Sequence, residues 1–350
     1  MLAPVTHILP LTTIHRERVL QIPGKVIVRK GQKVNASDTI AEARLDSEHL
    51  LLDISRSLGV SSKQVDKYIK CVAGDALAEG DLVAGPVGMA RRVVRSPVNG
   101  QVLLAGSGQV LIEAAGQPFQ LKAGLSGEIA DLISDRGAIV ETTGALIQGV
   151  WGNGRIDSGL MTVLLKSPDE SLTPDQLDVS LRGAIALAAH CGDPEVLKTA
   201  EELPLRGLIL STISANLVKL ALLMHYPIIV LDGFGQRPMN STAYKLLTTN
   251  ERHDVSINAE PWDRYAGTRP EVVIPLPAPG TPALPRDTDV FSPDQQVRVL
   301  RAPYANMIGS ITALKGQVVF PNGLHLQAAE VRLESGESVL VPLANLEVLL

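Results

Sequence analysis

A gapless repeat places the strongest constraint on the fold. Residues Gly31-Gln32-Lys33-Val34-Asn35-Ala36-Ser37-Asp38-Thr39-Ile40-Ala41 align with Gly74-Asp75-Ala76-Leu77-Ala78-Glu79-Gly80-Asp81-Leu82-Val83-Ala84 at an offset of 43. The shared positions are an opening Gly, an aliphatic (Val34, Leu77), an Asp (Asp38, Asp81), a second aliphatic (Ile40, Val83) and a closing Ala. The physical basis is local. Gly opens a tight turn, the aliphatic plugs a core, and the polar residue closes the next turn. Two copies predict a β-rich region with pseudo-symmetric halves. Short β-runs and Gly turns continue over residues 1–165, which are assigned to that region.

An insertion predicted as a helical pair, residues 47–70, separates the copies. Ser47 is expected to cap a helix carrying Leu50, Leu51, Ile54 and Leu58 that ends at Gly59. Ser61 or Ser62 would cap a second one carrying Val65, Tyr68 and Ile69. Further on, Trp151-Gly152-Asn153-Gly154 predicts a tight turn anchored by one buried Trp.

Together with the repeat, the stretch Val87-Gly88-Met89-Ala90-Arg91-Arg92-Val93-Val94-Arg95-Ser96-Pro97-Val98-Asn99-Gly100-Gln101-Val102 resembles the biotinyl/lipoyl-type barrel-sandwich hybrid. In that family a hairpin tip, Ala-Met-Lys-Met or Asp-Lys-Ala, leads into a Pro-x-x-Gly-x-Val strand. Gly88-Met89-Ala90-Arg91 occupies the tip, and Ala90 stands where the modified lysine would be. Carrier chemistry needs an amine to acylate, and alanine has none. The resemblance therefore implies the fold without carriage.

The polar segment from Ser167 to Gln176 predicts a boundary. Beyond it, over residues 177–275, strands at 183–188, 207–211, 227–231 and 254–257 alternate with helices. Those helices are expected over 193–203, from Ser214 or Asn216 to Met224, and over 241–247. The alternation predicts a small α/β domain of βαβ units, whose ligands sit outside the carboxyl ends of the strands. The candidate ligand-binding residues are Ser211, Thr212, Ser214, Asn216, Asp232, Gly233, Gly235 and Arg237, a set suited to a small anion. Neither GxGxxG nor GxxxxGK[ST] occurs, so no dinucleotide or P-loop site, and no cofactor, is expected. Residues 206–230 loosely resemble the phosphohistidine swivel domain, with Asn216 or a neighbour in place of its histidine. An amide cannot take a phosphoryl group, which argues against phosphotransfer by that route. Adjacent His190 and Cys191 point in different directions along an extended chain, so Cys191 is expected to be structural. No catalytic residue is assigned.

Proline density over residues 276–288 predicts a semi-rigid linker. The remainder, 289–350, shows alternating apolar residues and Gly turns, as in a small barrel. Within it, Val297-Arg298-Val299-Leu300-Arg301-Ala302-Pro303-Tyr304-Ala305-Asn306-Met307-Ile308-Gly309-Ser310-Ile311 resembles a KOW motif, implying an SH3-like β-barrel. The candidate partner-binding residues are Arg298, Arg301, Tyr304 and Gly309. KOW domains bind RNA, the ribosome or RNA polymerase. Here four basic side chains face six acidic ones, a net of −2, which disfavours nucleic acid and favours a protein partner.

Composition narrows the rest. The net charge of −5 and aromatic content of 3% argue against broad phosphate binding and base stacking. Cys71 and Cys191 form no CxxC, and no HxxxH occurs, so neither a disulfide framework nor a metal site is expected. No charged n-region precedes a long apolar run, and the longest apolar run is broken by Lys219, His225 and Pro227. The expectation is a cytoplasmic chain without membrane contact. The fold class expected is multidomain α+β: a barrel-sandwich hybrid, a small α/β domain and a C-terminal SH3-like barrel. The function expected is a non-catalytic adaptor or scaffold acting through protein–protein docking. Alternatives are a small-anion or metabolite sensor or enzyme using the α/β loops, and KOW-mediated association with transcription or the ribosome.

Overall fold

The computed structural model describes residues 2–43, 49–88, 91–114, 118–263, 267–280, 282–286 and 288–350. Strands dominate it, arranged in several sheets. The chain divides into two compact units. One comprises Met1–Val19, Val26–Ile40 and Leu121–Leu350, and the other Leu20–Lys25 and Ala41–Gln120.

The repeat is kept bond for bond, one copy in each unit. In the first, Asp38 Oδ2 accepts from the Asn35 amide at 2.8 Å, and the Asp38 carbonyl accepts from the Ala123 amide at 2.9 Å. In the second, Asp81 Oδ2 accepts from the Ala78 amide at 2.8 Å, and the Asp81 carbonyl accepts from the Ser96 amide at 2.8 Å. Each opening glycine has positive φ, +80° at Gly31 and +99° at Gly74. The amide of Gly31 reaches the Ile129 carbonyl at 2.8 Å, and that of Gly74 reaches the Val102 carbonyl at 2.7 Å. An aspartate side chain that bonds its own turn makes the same local structure wherever the pattern recurs.

The smaller unit holds a four-stranded sheet ordered His49–Asp53, Gln109–Ala114, Gly100–Gly106, Ala76–Leu77, and a hairpin of Leu82–Val87 with Arg92–Arg95. Met89 and Ala90 at the hairpin tip, and Ser47, lie outside the described residues. The first inserted helix is shorter than expected. Leu50, Leu51 and Leu52 pair as a strand with Gln109–Ala114, and only Ile54–Leu58 is helical. Asp53 caps it by accepting from the Arg56 amide at 2.9 Å, and Gly59 ends it in the left-handed region, as the glycine signalled. The second is a turn, Ser62–Val65, continued by a 3-10 segment, Asp66–Tyr68.

In the larger unit an eleven-stranded mixed sheet contains the parallel run Ile185–Cys191, Gly207–Ile213, Ile228–Phe234. All three strands carry near-continuous apolar residues because both faces are covered. Ile185, Leu187, Ile209, Ile229 and Leu231 pack with Ala243 and Leu247 of the helix Ser241–Thr249. Ala186, Ala188, Leu208, Leu210 and Val230 pack with Val196, Leu197 and Ala200 of Pro194–Glu202. Burying Val196 and Leu197 contributes about 1.5–3 kcal/mol each.

Three expected boundaries change. The segment 167–176 lies inside one unit, because Ile156–Val163 pairs in parallel with Ile185–Cys191 across it. The Pro-rich segment is pinned rather than free. Prolines leave carbonyls without neighbouring N–H donors, and the Thr12 and Thr13 hydroxyls donate to the Ala283 and Pro282 carbonyls at 2.8 and 2.7 Å. The C-terminal region forms a seven-stranded sheet that recruits Leu2–Thr6, which pairs antiparallel with Thr288–Val290 and parallel with Leu346–Leu349. Expected as a closed barrel, this sheet is an open path whose end strands are Thr288–Val290 and Ser338–Pro342. Ala3 and Val5 join its core with Val297, Val299, Ile311, Val331 and Val348.

Candidate functional site at the carboxyl edge of the parallel strands

The three parallel strands end in 191–193, 213–216 and 234–240, where the candidate ligand-binding residues lie. The structure sorts them into two clusters.

The first is built on Asp232 and is buried. Asp232 Oδ2 accepts from the Ser211 hydroxyl at 3.1 Å and from the Asn240 amide at 3.0 Å. Its Oδ1 faces Arg298 Nη2 at 3.5 Å, and Arg298 is 1% exposed. Arg298 Nη1 lies 3.4 Å from Glu347 Oε1. Glu347 Oε2 in turn accepts from the Thr6 hydroxyl at 3.1 Å and lies 3.9 Å from Arg269 Nη1. Charges thus alternate in sign along Asp232, Arg298, Glu347 and Arg269. Burial raises the Asp232 carboxyl above its ordinary range, against the opposing pull of Arg298 and its hydrogen bonds to Asn240 and Ser211. Asn240 also caps the helix Ser241–Thr249, its Oδ1 accepting from the Thr242 and Ala243 amides. Among the described residues Asn240 Nδ2 and Arg298 Nε have no hydrogen-bond partner.

The C-terminal sheet therefore covers Asp232, the place where an open α/β sheet would seat a ligand. A Cβ on Gly233 would meet Asn306 Nδ2 at 2.5 Å, and Arg237 donates to the Ala305 carbonyl. A cavity of about 330 Å³ remains at this junction, lined by Arg237, Met239, Asn240, Asn306, Leu333 and Glu334 among others.

The second cluster joins Thr212 and Ser214 through His190, which sequence reasoning considered only as a neighbour of Cys191. His190 Nδ1 is 2.9 Å from Thr212 Oγ1, and Nε2 is 3.4 Å from Ser214 Oγ. Burial lowers the His190 pKa. Cys191 is buried in the core, and burial pushes its thiol up to about 12. Asn216 is exposed in the 3-10 turn Ala215–Leu217, and the Gly235 amide donates to the Ile213 carbonyl at 3.0 Å.

The candidate partner-binding residues separate as well. Arg298, expected to face a partner, is instead inside the first cluster, because its guanidinium is the cation between two buried carboxylates. Gly309 is in the sheet, where a Cβ would lie 2.5 Å from the Arg332 carbonyl. Only Arg301 and Tyr304 line a surface depression. Asn240, Glu347, Thr6 and Arg269 were missed; each acts through partners at least eight residues away, which leaves no local pattern.

No helix among the described residues is long and apolar enough to cross a membrane, and none of their His, Cys, Asp and Glu groups could hold a metal ion. No family model matches the chain, and no curated protein matches it.

Proposed function

We propose that the chain is a docking protein that engages a protein partner through its C-terminal sheet. The observation that carries this reading is a groove of about 450 Å³ lined by Arg301, Tyr304, Phe320, Leu324, Leu326 and Leu340, with prolines 303, 321 and 342. Leu324 is 52% exposed and Leu340 41%, and Val319 nearby in sequence is 61% exposed. Large apolar side chains gathered around a concavity mark interaction surfaces, whereas scattered ones do not. The KOW-like motif supports the same reading, since it runs through Arg301 and Tyr304, and so does the lipoyl-like, barrel-sandwich character of the repeat.

Charge favours protein over nucleic acid. Of the four basic residues in 289–350, Arg298 is buried and paired and Lys315 lies 3.3 Å from Glu330. That leaves Arg301 and Arg332 without a carboxylate partner among the described residues, too few for a phosphate-backbone footprint. The test is affinity purification of the tagged chain with and without nuclease, alongside the Leu324→Asp and Leu340→Asp variants. A protein that survives nuclease and is lost with either variant, at unchanged melting temperature, supports docking at the groove. Partners that disappear with nuclease make nucleic acid the bridge. Capture indifferent to both variants removes the groove from the account.

A further inference from the structure

We propose that Ser214 is a nucleophile activated by His190, forming with Gly192 a small ester-cleaving site on the carboxyl edge of the parallel strands. This goes beyond docking at the C-terminal groove and does not depend on it.

The geometry has three parts. A nucleophile needs a base within reach, and the base needs a group that fixes its orientation. Ser214 Oγ lies 3.4 Å from His190 Nε2, a separation typical of a base and nucleophile awaiting substrate. The other ring nitrogen, Nδ1, is 2.9 Å from Thr212 Oγ1 on the adjacent strand, directly opposite His190 in the register. With the proton on Nδ1, donated to Thr212, the Nε2 lone pair faces the serine hydroxyl. The backbone holds the pair in place, because the Ser214 amide donates to the Cys191 carbonyl at 2.9 Å, one residue past the imidazole.

Access is the second part. His190 is 5% exposed, whereas Ser214 is partly open to solvent. Burial favours the neutral imidazole, the form that can accept a proton.

The third part is Gly192. Its backbone is not in the left-handed region, so its conformation does not require glycine. A Cβ there would stand 3.1 Å from His190 Nε2 and 3.5 Å from Ser214 Oγ. What the glycine leaves is room of about one methyl group over the reacting atoms, and that limits the substrate to a short acyl ester.

In the reaction Ser214 Oγ bonds to the ester carbonyl carbon while its proton passes to His190 Nε2. Collapse breaks the carbon–oxygen bond to the alcohol, which takes the proton from the imidazolium. Water then attacks the acyl-serine with the same base, releasing the acid and restoring the serine.

The direct test is nucleophile labelling, which reads activation independently of turnover. The full-length chain is treated with a short-alkyl fluorophosphonate and analysed by intact mass and peptide mapping, with p-nitrophenyl acetate hydrolysis followed in parallel. The expected result is one adduct, on Ser214, absent from Ser214→Ala. His190→Gln should slow labelling by about 100-fold or more, the usual contribution of a general base. Gly192→Ala should slow it roughly tenfold or more by misplacing the probe. Thr212→Val, nearly isosteric, tests the orienting contact should His190→Gln unfold; it should also slow labelling while near-UV circular dichroism is retained. An unlabelled wild-type chain, an adduct elsewhere, or labelling that persists in Ser214→Ala overturns the proposal. So does ¹⁵N NMR that places the His190 proton on Nε2.

Discussion

Replacing Arg298 with Met should destabilise the larger unit more than any other single change at the carboxyl edge. The guanidinium stands 3.5 Å from Asp232 and 3.4 Å from Glu347. At an effective dielectric of about 20, each contact carries about 5 kcal/mol of Coulomb attraction. The desolvation of the buried cation, several kcal/mol, is recovered when it is removed. What remains is a net loss of about 3–5 kcal/mol, the usual result of leaving a buried charge without its partner. Asp232→Asn in the Arg298→Met background should return part of that loss, because it neutralises one of the two stranded carboxylates. The double variant should therefore be more stable than Arg298→Met alone. The pH dependence has a definite sign. Burial raises the folded-state pKa of Asp232, so the folded chain takes up a proton more readily than the unfolded one. The stability that Asp232 contributes is then greatest below its unfolded value, about 3.9, and declines as pH rises through the raised folded value. Removing Arg298 deletes the charge that opposes the rise, so the Arg298→Met penalty should be smaller at pH 5 than at pH 8. Urea unfolding followed by tryptophan fluorescence gives these differences, Trp151 lying on the edge of the parallel sheet. If Arg298→Met and Asp232→Asn each cost under about 1 kcal/mol and add without coupling, the reasoning fails.

Three further outcomes follow from the same structure. Asn153→Ala should cost about 3 kcal/mol or more, seen as a lower melting temperature, because it leaves the Ala221 and Tyr226 carbonyls and the Ile228 amide buried without their partner. Cys191, with its thiol pushed up to about 12, holds only about one part in ten thousand as thiolate at pH 8; it should resist a disulfide-exchange reagent until denaturant is added. Thr12→Val and Thr13→Val should each raise the rate of limited proteolysis within 276–288 about fivefold, the equivalent of one hydrogen bond of about 1 kcal/mol.

Much of the fold was legible where the physics is local. The repeat showed itself because an aspartate bonding its own turn imposes a spacing, and both copies kept it. The helices Pro194–Glu202 and Ser241–Thr249 announced themselves through Pro194 in a first turn and through apolar spacing. The parallel strands were visible as apolar runs. Leu50–Leu52 was misjudged because three leucines spaced with Ile54 and Leu58 fit a helix face as well as a strand followed by a capped turn. The candidate site was legible as a set of loops but not as clusters. Sequence placed Asp232 and Arg298 in different domains with different roles, while the fold makes them an ion pair across 66 residues. Only a strand that crosses from one end of the chain to the other could reveal that the C-terminal sheet seals the crevice.

The pairing of Leu2–Thr6 with Leu346–Leu349 also sets a timetable for biosynthesis. Thr6 and Glu347, hydrogen-bonded in the folded chain, are 341 residues apart. At roughly 5–20 residues per second, about 17–70 s separate their appearance on the ribosome. Through that interval Ala3 and Val5, buried once folded, belong to a strand whose neighbours do not yet exist. The parallel strands can pack as soon as residues 185–247 have emerged, but the sheet that covers Asp232 can close only at the end. The first strand to be made is thus among the last to be placed, and until then it is the segment of the nascent chain with most to gain from a holding chaperone.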